Sequence, residues 1–181
     1  MNAHPTPAWR NRNVLILALV SLLNDAASDM VVPLLPAFLL TIGAGAFALG
    51  WIEGSAELLS GVLKWVAGTW ADRVKRYTPF VLAGYLLATL ARPFLAIATA
   101  ASHVLYVRLV DRTGKGLRSA PRDAMLAASV PREQRGAAFG FHRAMDHLGA
   151  VVGPLLAALA LFLAFDLRTI FLLALIPGAL A

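Results

Sequence analysis

The sequence predicts an all-α membrane protein built as a six-helix bundle, and three observations predict it. Hydrophobic residues make up 59% of the 181-residue chain, charged residues 14%, and the mean hydropathy is +0.71. Ordinary soluble domains run near a quarter charged. The apolar residues fall in six successive segments parted by short polar links. The bases outside those segments cluster in alternate links, the positive-inside pattern of a multi-pass protein. The net charge of +6 is therefore a matter of topology, and nucleic-acid binding is rejected. Cysteine is absent, which removes disulfides and thiolate metal sites.

Residues 1–13 form a tail carrying Arg10 and Arg12, and the bundle occupies 14–181. The first segment is Val14–Leu40. "AAS" at 26–28 imitates a signal-peptide cleavage site, but the apolar pattern resumes at Met30. About 20 apolar residues cross a bilayer, so an uncleaved helix is expected. The next segments are Ala48–Thr69, Pro79–Thr99, Val104–Val130 and Ala137–Phe165. The sixth, Thr169–Ala181, is short for a full span and is expected to be a truncated helix. "DRVKR" (72–76) and "PREQR" (131–135) are basic links. "TIGAGAF" (41–47), "AASH" (100–103) and "DLR" (166–168) hold one arginine between them. The N-terminus and the basic links are therefore expected in the cytoplasm.

The two three-helix halves show a faint inverted similarity. Segments 1 and 4 carry charges at mid-depth with a proline further on, Pro33 and Pro121. Segments 2 and 5 have acids in their first half and spaced glycines, and segments 3 and 6 carry Pro93 and Pro177. Inverted repeats are a transporter feature.

The segments hold the acids Asp25, Asp29, Glu53, Glu57, Asp111, Asp123 and Asp146. They also hold the bases Lys64, Arg92, Arg108, Arg112, Lys115, Arg118, Arg122 and Arg143. A charge at the centre of a lone membrane helix costs about 2.5–3.5 kcal/mol. The near balance predicts that these groups pair or line a wet cavity. Asp25 and Asp29 share a face by i,i+4 spacing, and Glu53, Glu57 and Lys64 form one stripe. Arg108, Arg112, Lys115 and Arg122 form another, on a fourth helix with a charged inner face. His142 and Asp146 share a face of the fifth.

"GTWADRVKR" (68–76) resembles the loop signature G-x-x-x-D-R-x-G-R/K of the major facilitator superfamily, with Gly68, Asp72, Arg73 and Arg76 matching and Lys75 in the place of a glycine. "PREQRGAAFG" (131–140) is similar to that family's lead into helix 5, and "GAVVGPLLA" (149–157) to its G-x-x-x-G-P-x-x-G motif, through Gly149, Gly153 and Pro154. Ala157 replaces the last glycine of that motif. "RTGKG" (112–116) and "PLLP" (33–36) resemble helix 4 and helix 1 motifs. The resemblance covers the whole chain and looks like a bacterial permease subfamily. It implies a fold of twelve helices in two bundles, of which this chain would be the first. A second bundle of the same protein is then an expected partner, beside a small-molecule substrate, protons and the bilayer of the bacterial inner membrane. No cofactor or metal is implied. Asp72 would pair with an arginine across the cytoplasmic side, with Arg135 the candidate. Arg122, Arg143, Arg73 and Arg76 join that gate.

Each site has two readings. Asp25 and Asp29 either couple transport to protons or form fixed salt bridges. Burial and a neighbouring like charge both hold a proton on a carboxyl. Glu53, Glu57, Asp111 and Asp146 share the coupling or cavity reading, with structural pairing favoured for at least one of the glutamates. Arg108, Arg112 and Lys115 either grip an anion or act as counter-ions, which their number favours. Arg122 is also a candidate for a headgroup contact, and Arg92–Pro93 for a bend with a paired arginine. The function expected is proton-coupled secondary transport by alternating access, with the helix 5 motif favouring export and with no enzymatic step. The rivals are a half-size homodimeric transporter, a polytopic membrane enzyme and a non-transporting scaffold.

Overall fold

The computed structural model describes residues 7–181, so the start of the predicted tail lies outside the described residues. Six long elements follow a short turn of 3-10 helix at Ala8–Arg10. They are α1 (Arg12–Thr41), α2 (Ala46–Val74), α3 (Thr78–Ile97), α4 (Ala101–Ala128), α5 (Arg132–Phe162) and α6 (Leu167–Leu180). Each falls within a few residues of its apolar segment. α1, α3 and α5 are long and apolar enough to cross a membrane. α2 and α4 are as long, but their charges make them too polar to pass the same test.

Local chemistry sets the boundaries. Asn11 caps α1, its Oδ1 accepting from the backbone N–H groups of Asn13 (2.9 Å) and Val14 (3.4 Å). Pro33 tightens α1 into a 3-10 turn at Val32–Leu34, and Pro93 does the same to α3 over Arg92–Ile97. A 3-10 segment thus stands where a bend is expected at Arg92–Pro93, and the arginine there is paired, with Asp111. α2 runs further than the segment ending at Thr69, so Gly68, Asp72 and Arg73 are helical and the turn begins after Val74. Lys75 closes it at φ 52°, ψ 33°, the left-handed cap that a glycine usually supplies. The turn is kept despite the substitution.

α1 packs along α5 and α2 along α4, with α3 against α4 and α6 against α1 and the end of α3. Glycines permit the closest crossings. A Cβ on Gly149 would lie 2.5 Å from the Leu22 carbonyl oxygen, and one on Gly153 would lie 2.5 Å from that of Ala26. Gly84 and Gly114 face each other across α3 and α4 in the same way.

The core is layered. One end holds an apolar cluster that includes Leu35, Phe38, Leu95, Ile170 and Phe171, with the two phenylalanine rings edge-to-face at 5.0 Å. The other end holds Val14, Leu17, Leu126, Val130 and Ala138. Between them lies a layer of buried charge. The outer surface is reversed relative to a soluble protein, with Leu82, Leu86, Leu90, Val151 and Leu155 exposed.

Candidate functional site: a charged layer inside the bundle

α4 carries the layer because its arginines recur at helical spacing on the face that meets α2, α3 and α1. Arg108 is only 1% exposed. Its Nε and Nη2 donate to the two carboxylate oxygens of Glu53, each at 2.7 Å. This is the bidentate fork that a guanidinium makes best. Its Nη1 donates to Asp111 Oδ2 at 3.1 Å. The other Asp111 oxygen accepts from Arg92 Nε at 3.0 Å. Arg92 Nη2 in turn donates to Asn24 Oδ1 at 2.9 Å. Arg112 stands 3.7 Å from Glu53 and 3.8 Å from Glu57. Three arginines thus meet three acids, and the network joins α1, α2, α3 and α4. Such pairing is what makes buried charge tolerable. Arg108 and Arg112 thus lie in ion-pair geometry with acids of α2 and α4.

A second group lies nearer the basic links. Arg118 Nη2 is 3.6 Å from Asp25 Oδ1, and its guanidinium lies over the Tyr85 ring at 4.5 Å. Its Nε and Nη1 have no hydrogen-bond acceptor among the described residues. Arg122 donates to Ser21 Oγ (2.8 Å) and to Asp123 (3.1 Å). Being buried, Arg122 faces the bundle interior and not a lipid headgroup. On α5, Asp146 Oδ2 is 3.5 Å from His142 Nδ1 and 3.6 Å from Arg143 Nη1. Asp146 Oδ1 and His142 Nε2 have no hydrogen-bond partner among the described residues.

Three charged groups of the layer stand apart. Asp29 is half-buried, and Asp29, Lys64 and Lys115 make no ion pair among the described residues. A cavity of about 320 Å³ opens between α1, α2, α4 and α5, lined by Asp25, Glu57, Lys64, Lys115, Arg118 and Asp146 among others. A larger groove between α3 and α4, of about 470 Å³, is lined by apolar groups such as Leu90, Phe94 and Val110 and lies on the outer surface. No group of three metal-ligating side chains occurs among the described residues.

The cytoplasmic gate predicted for Asp72 and Arg135 is not formed as expected. Asp72 accepts from the Tyr77 hydroxyl at 3.0 Å, while Arg135 Nε donates to the Ala127 carbonyl at 3.1 Å. Tyr77 sits in the link, and its hydrogen bond to the Asp72 carboxylate pushes its ionisation above the usual tyrosine range. Arg73 and Arg76 are exposed. Gly68 lets α2 close on α4, since a Cβ there would lie 3.0 Å from the Ala120 Cβ.

Sequence reasoning missed Ser21, Asn24 and Tyr85. The first two carried a signal: with Asp25 and Asp29 they make a polar stripe in an otherwise apolar helix. Tyr85 carried none, because only the tertiary fold brings its ring to Arg118.

The family model of the Major Facilitator Superfamily matches residues 17–181. An uncharacterized MFS-type transporter of Methanocaldococcus jannaschii is 34% identical over 171 residues, covering 94% of this chain and 43% of the relative. The multi-drug resistance efflux pump PmrA of Streptococcus pneumoniae is 28% identical, over 91% of this chain and 41% of its own length. The quinolone resistance protein NorA of Staphylococcus aureus is 22% identical, over 80% and 37%. The chain thus spans less than half the length of these relatives.

Proposed function

Because this chain belongs to the major facilitator superfamily, we propose that it is the first bundle of a secondary transporter that moves a small solute by alternating access, coupled to protons at Asp29. The N-terminus and basic links lie in the cytoplasm on this reading, and a second bundle of the same protein completes the pathway. Exchanging helices 1 with 4, 2 with 5 and 3 with 6 turns the α1–α5 packing into α4–α2, and α1–α6 into α4–α3. That supports two inverted repeats, the usual basis of alternating access. Close glycine packing of α5 on α1 gives a smooth surface on which the helices can rock. The helix 5 motif and the efflux pump among the relatives favour export.

The pairing pattern carries the coupling assignment. Asp25 has Arg118 beside it, whereas Asp29, one turn further along α1, is half-buried with no ion pair among the described residues. Asp29 is thus the acid of α1 that no arginine holds in an ion pair among the described residues, which supports it as the group free to exchange a proton. The test is Asp29→Asn in the natural full-length protein, reconstituted in liposomes with a proton gradient. Gradient-driven flux should vanish while substrate exchange without a gradient persists. Undiminished gradient-driven flux would remove Asp29 from the mechanism.

A further inference from the structure

Pairing accounts for most of the charge around the cavity, and what it leaves over is cationic. Each acid that lines the cavity has an arginine close by. Asp25 has Arg118 at 3.6 Å, Asp123 has Arg122 at 3.1 Å, Asp146 has Arg143 at 3.6 Å and Glu57 has Arg112 at 3.8 Å. The lining ammonium groups of Lys64 and Lys115 have no such partner among the described residues. Lys64 comes from α2 and Lys115 from α4, so the two approach the space from different walls. Arg118 lines the same space, more than nine-tenths buried, with two nitrogens lacking any acceptor among the described residues and its third 3.6 Å from Asp25. A cationic ligand entering this space would compete with an arginine near each of these carboxylates. An anion has only to fill it.

We propose that this cavity binds a small solute bearing a carboxylate or phosphate group, with Lys64 and Lys115 as its direct counter-charges and Arg118 as a third donor that turns from Asp25 to the ligand. This rests on the transporter reading only in making the bound anion the transported solute. Of the Arg108, Arg112 and Lys115 set that spacing first suggested, the site keeps Lys115; Arg108 is hydrogen-bonded to Glu53 and Asp111, and Arg112 stands between Glu53 and Glu57. A volume of about 320 Å³ fits a compact metabolite, being at the lower end of small-molecule pockets. The Asp25 carboxylate competes with the ligand for Arg118, so its charge weakens binding.

The test is calorimetric titration of the full-length protein with benzoate, inorganic phosphate and benzylammonium at millimolar concentrations. At least one of the two anions should bind, and the one that does identifies the group recognised. Benzylammonium should not bind. Lys64→Gln and Lys115→Gln should each weaken the anion roughly tenfold, the loss of one charge-assisted hydrogen bond. Asp25→Asn should tighten it. The lysines suit the test because neither is buried, and Arg118 variants risk misfolding. Preference for benzylammonium, binding of neither anion, or indifference to both lysine changes would overturn the proposal. Flux in liposomes keeps the two readings apart. An anion that binds but is never moved defeats the transport reading and leaves the site. Flux of a cation without anion binding defeats the site and leaves transport.

Discussion

Arg92 on α3 and Asp111 on α4 form a buried ion pair, 3.0 Å from Nε to Oδ1, at the centre of the charged layer. Asp111 also receives Arg108, so one carboxylate holds two guanidiniums inside the bundle. Asp111→Asn removes the shared counter-charge and leaves two cations facing each other. Breaking a buried pair costs about 3–5 kcal/mol. The variant should give much less folded protein in membranes and a clearly lower melting temperature in detergent. A double change of Arg92→Met with Asp111→Leu should be milder than Asp111→Asn alone, since no charge is then stranded on α3.

Gly153 meets the Ala26 carbonyl oxygen so closely that a methyl group there would sit 2.5 Å from it. Gly153→Ala must therefore push α5 away from α1, a cost of about 1–3 kcal/mol for overpacking. Gly50→Ala, on the open face of α2 where nothing lies within 4 Å, should be neutral or slightly stabilising. Thermal melts of the two variants side by side check the contrast.

Lys75 adopts a left-handed backbone at φ 52°. An L-residue with a side chain pays about 1–2 kcal/mol for that conformation. Lys75→Gly should stabilise the turn after α2 by about 1 kcal/mol, net of the extra freedom glycine loses on folding. The measurement is the denaturant or thermal midpoint. An unchanged or lowered midpoint would contradict the strain.

The Tyr77 hydroxyl donates to the Asp72 carboxylate, and a phenolate there would face a negative charge with its hydrogen bond lost. Tyr77 should therefore ionise at higher pH than a free tyrosine. In an ultraviolet difference titration, Asp72→Asn should move this phenol back down toward the ordinary range. A titration identical in both proteins would mean the bond is not kept in solution.

The helices, their order and their charged faces were legible because side-chain periodicity is a local property. Spacing placed Arg108 and Arg112 on one stripe of α4 and Glu53 and Glu57 on one stripe of α2. It did not say how far each helix is rotated about its own axis against its neighbours. That rotation made Asp111 the hub of the layer, gave Asp25 an arginine and left Asp29 without one. It also turned Arg122 inward to Ser21. The partner of Asp72 was missed for a similar reason. A loop motif names the residues at a turn, while the partner depends on where the next link lies, and here Tyr77 is nearer at hand than Arg135.

The charge on α4 also bears on how the chain is made. α1, α3 and α5 are long and apolar enough to cross a membrane. α4, with Arg108, Asp111, Arg112, Lys115, Arg118 and Arg122, is not, because each charge facing lipid carries a penalty. α4 emerges after α2, so Glu53 and Glu57 are already waiting when Arg108 and Arg112 arrive. The salt bridges of the finished bundle would then be needed at insertion as well as in the folded state. A chain that loses the glutamates of α2 should stall with α4 outside the bilayer, long before any question of transport arises.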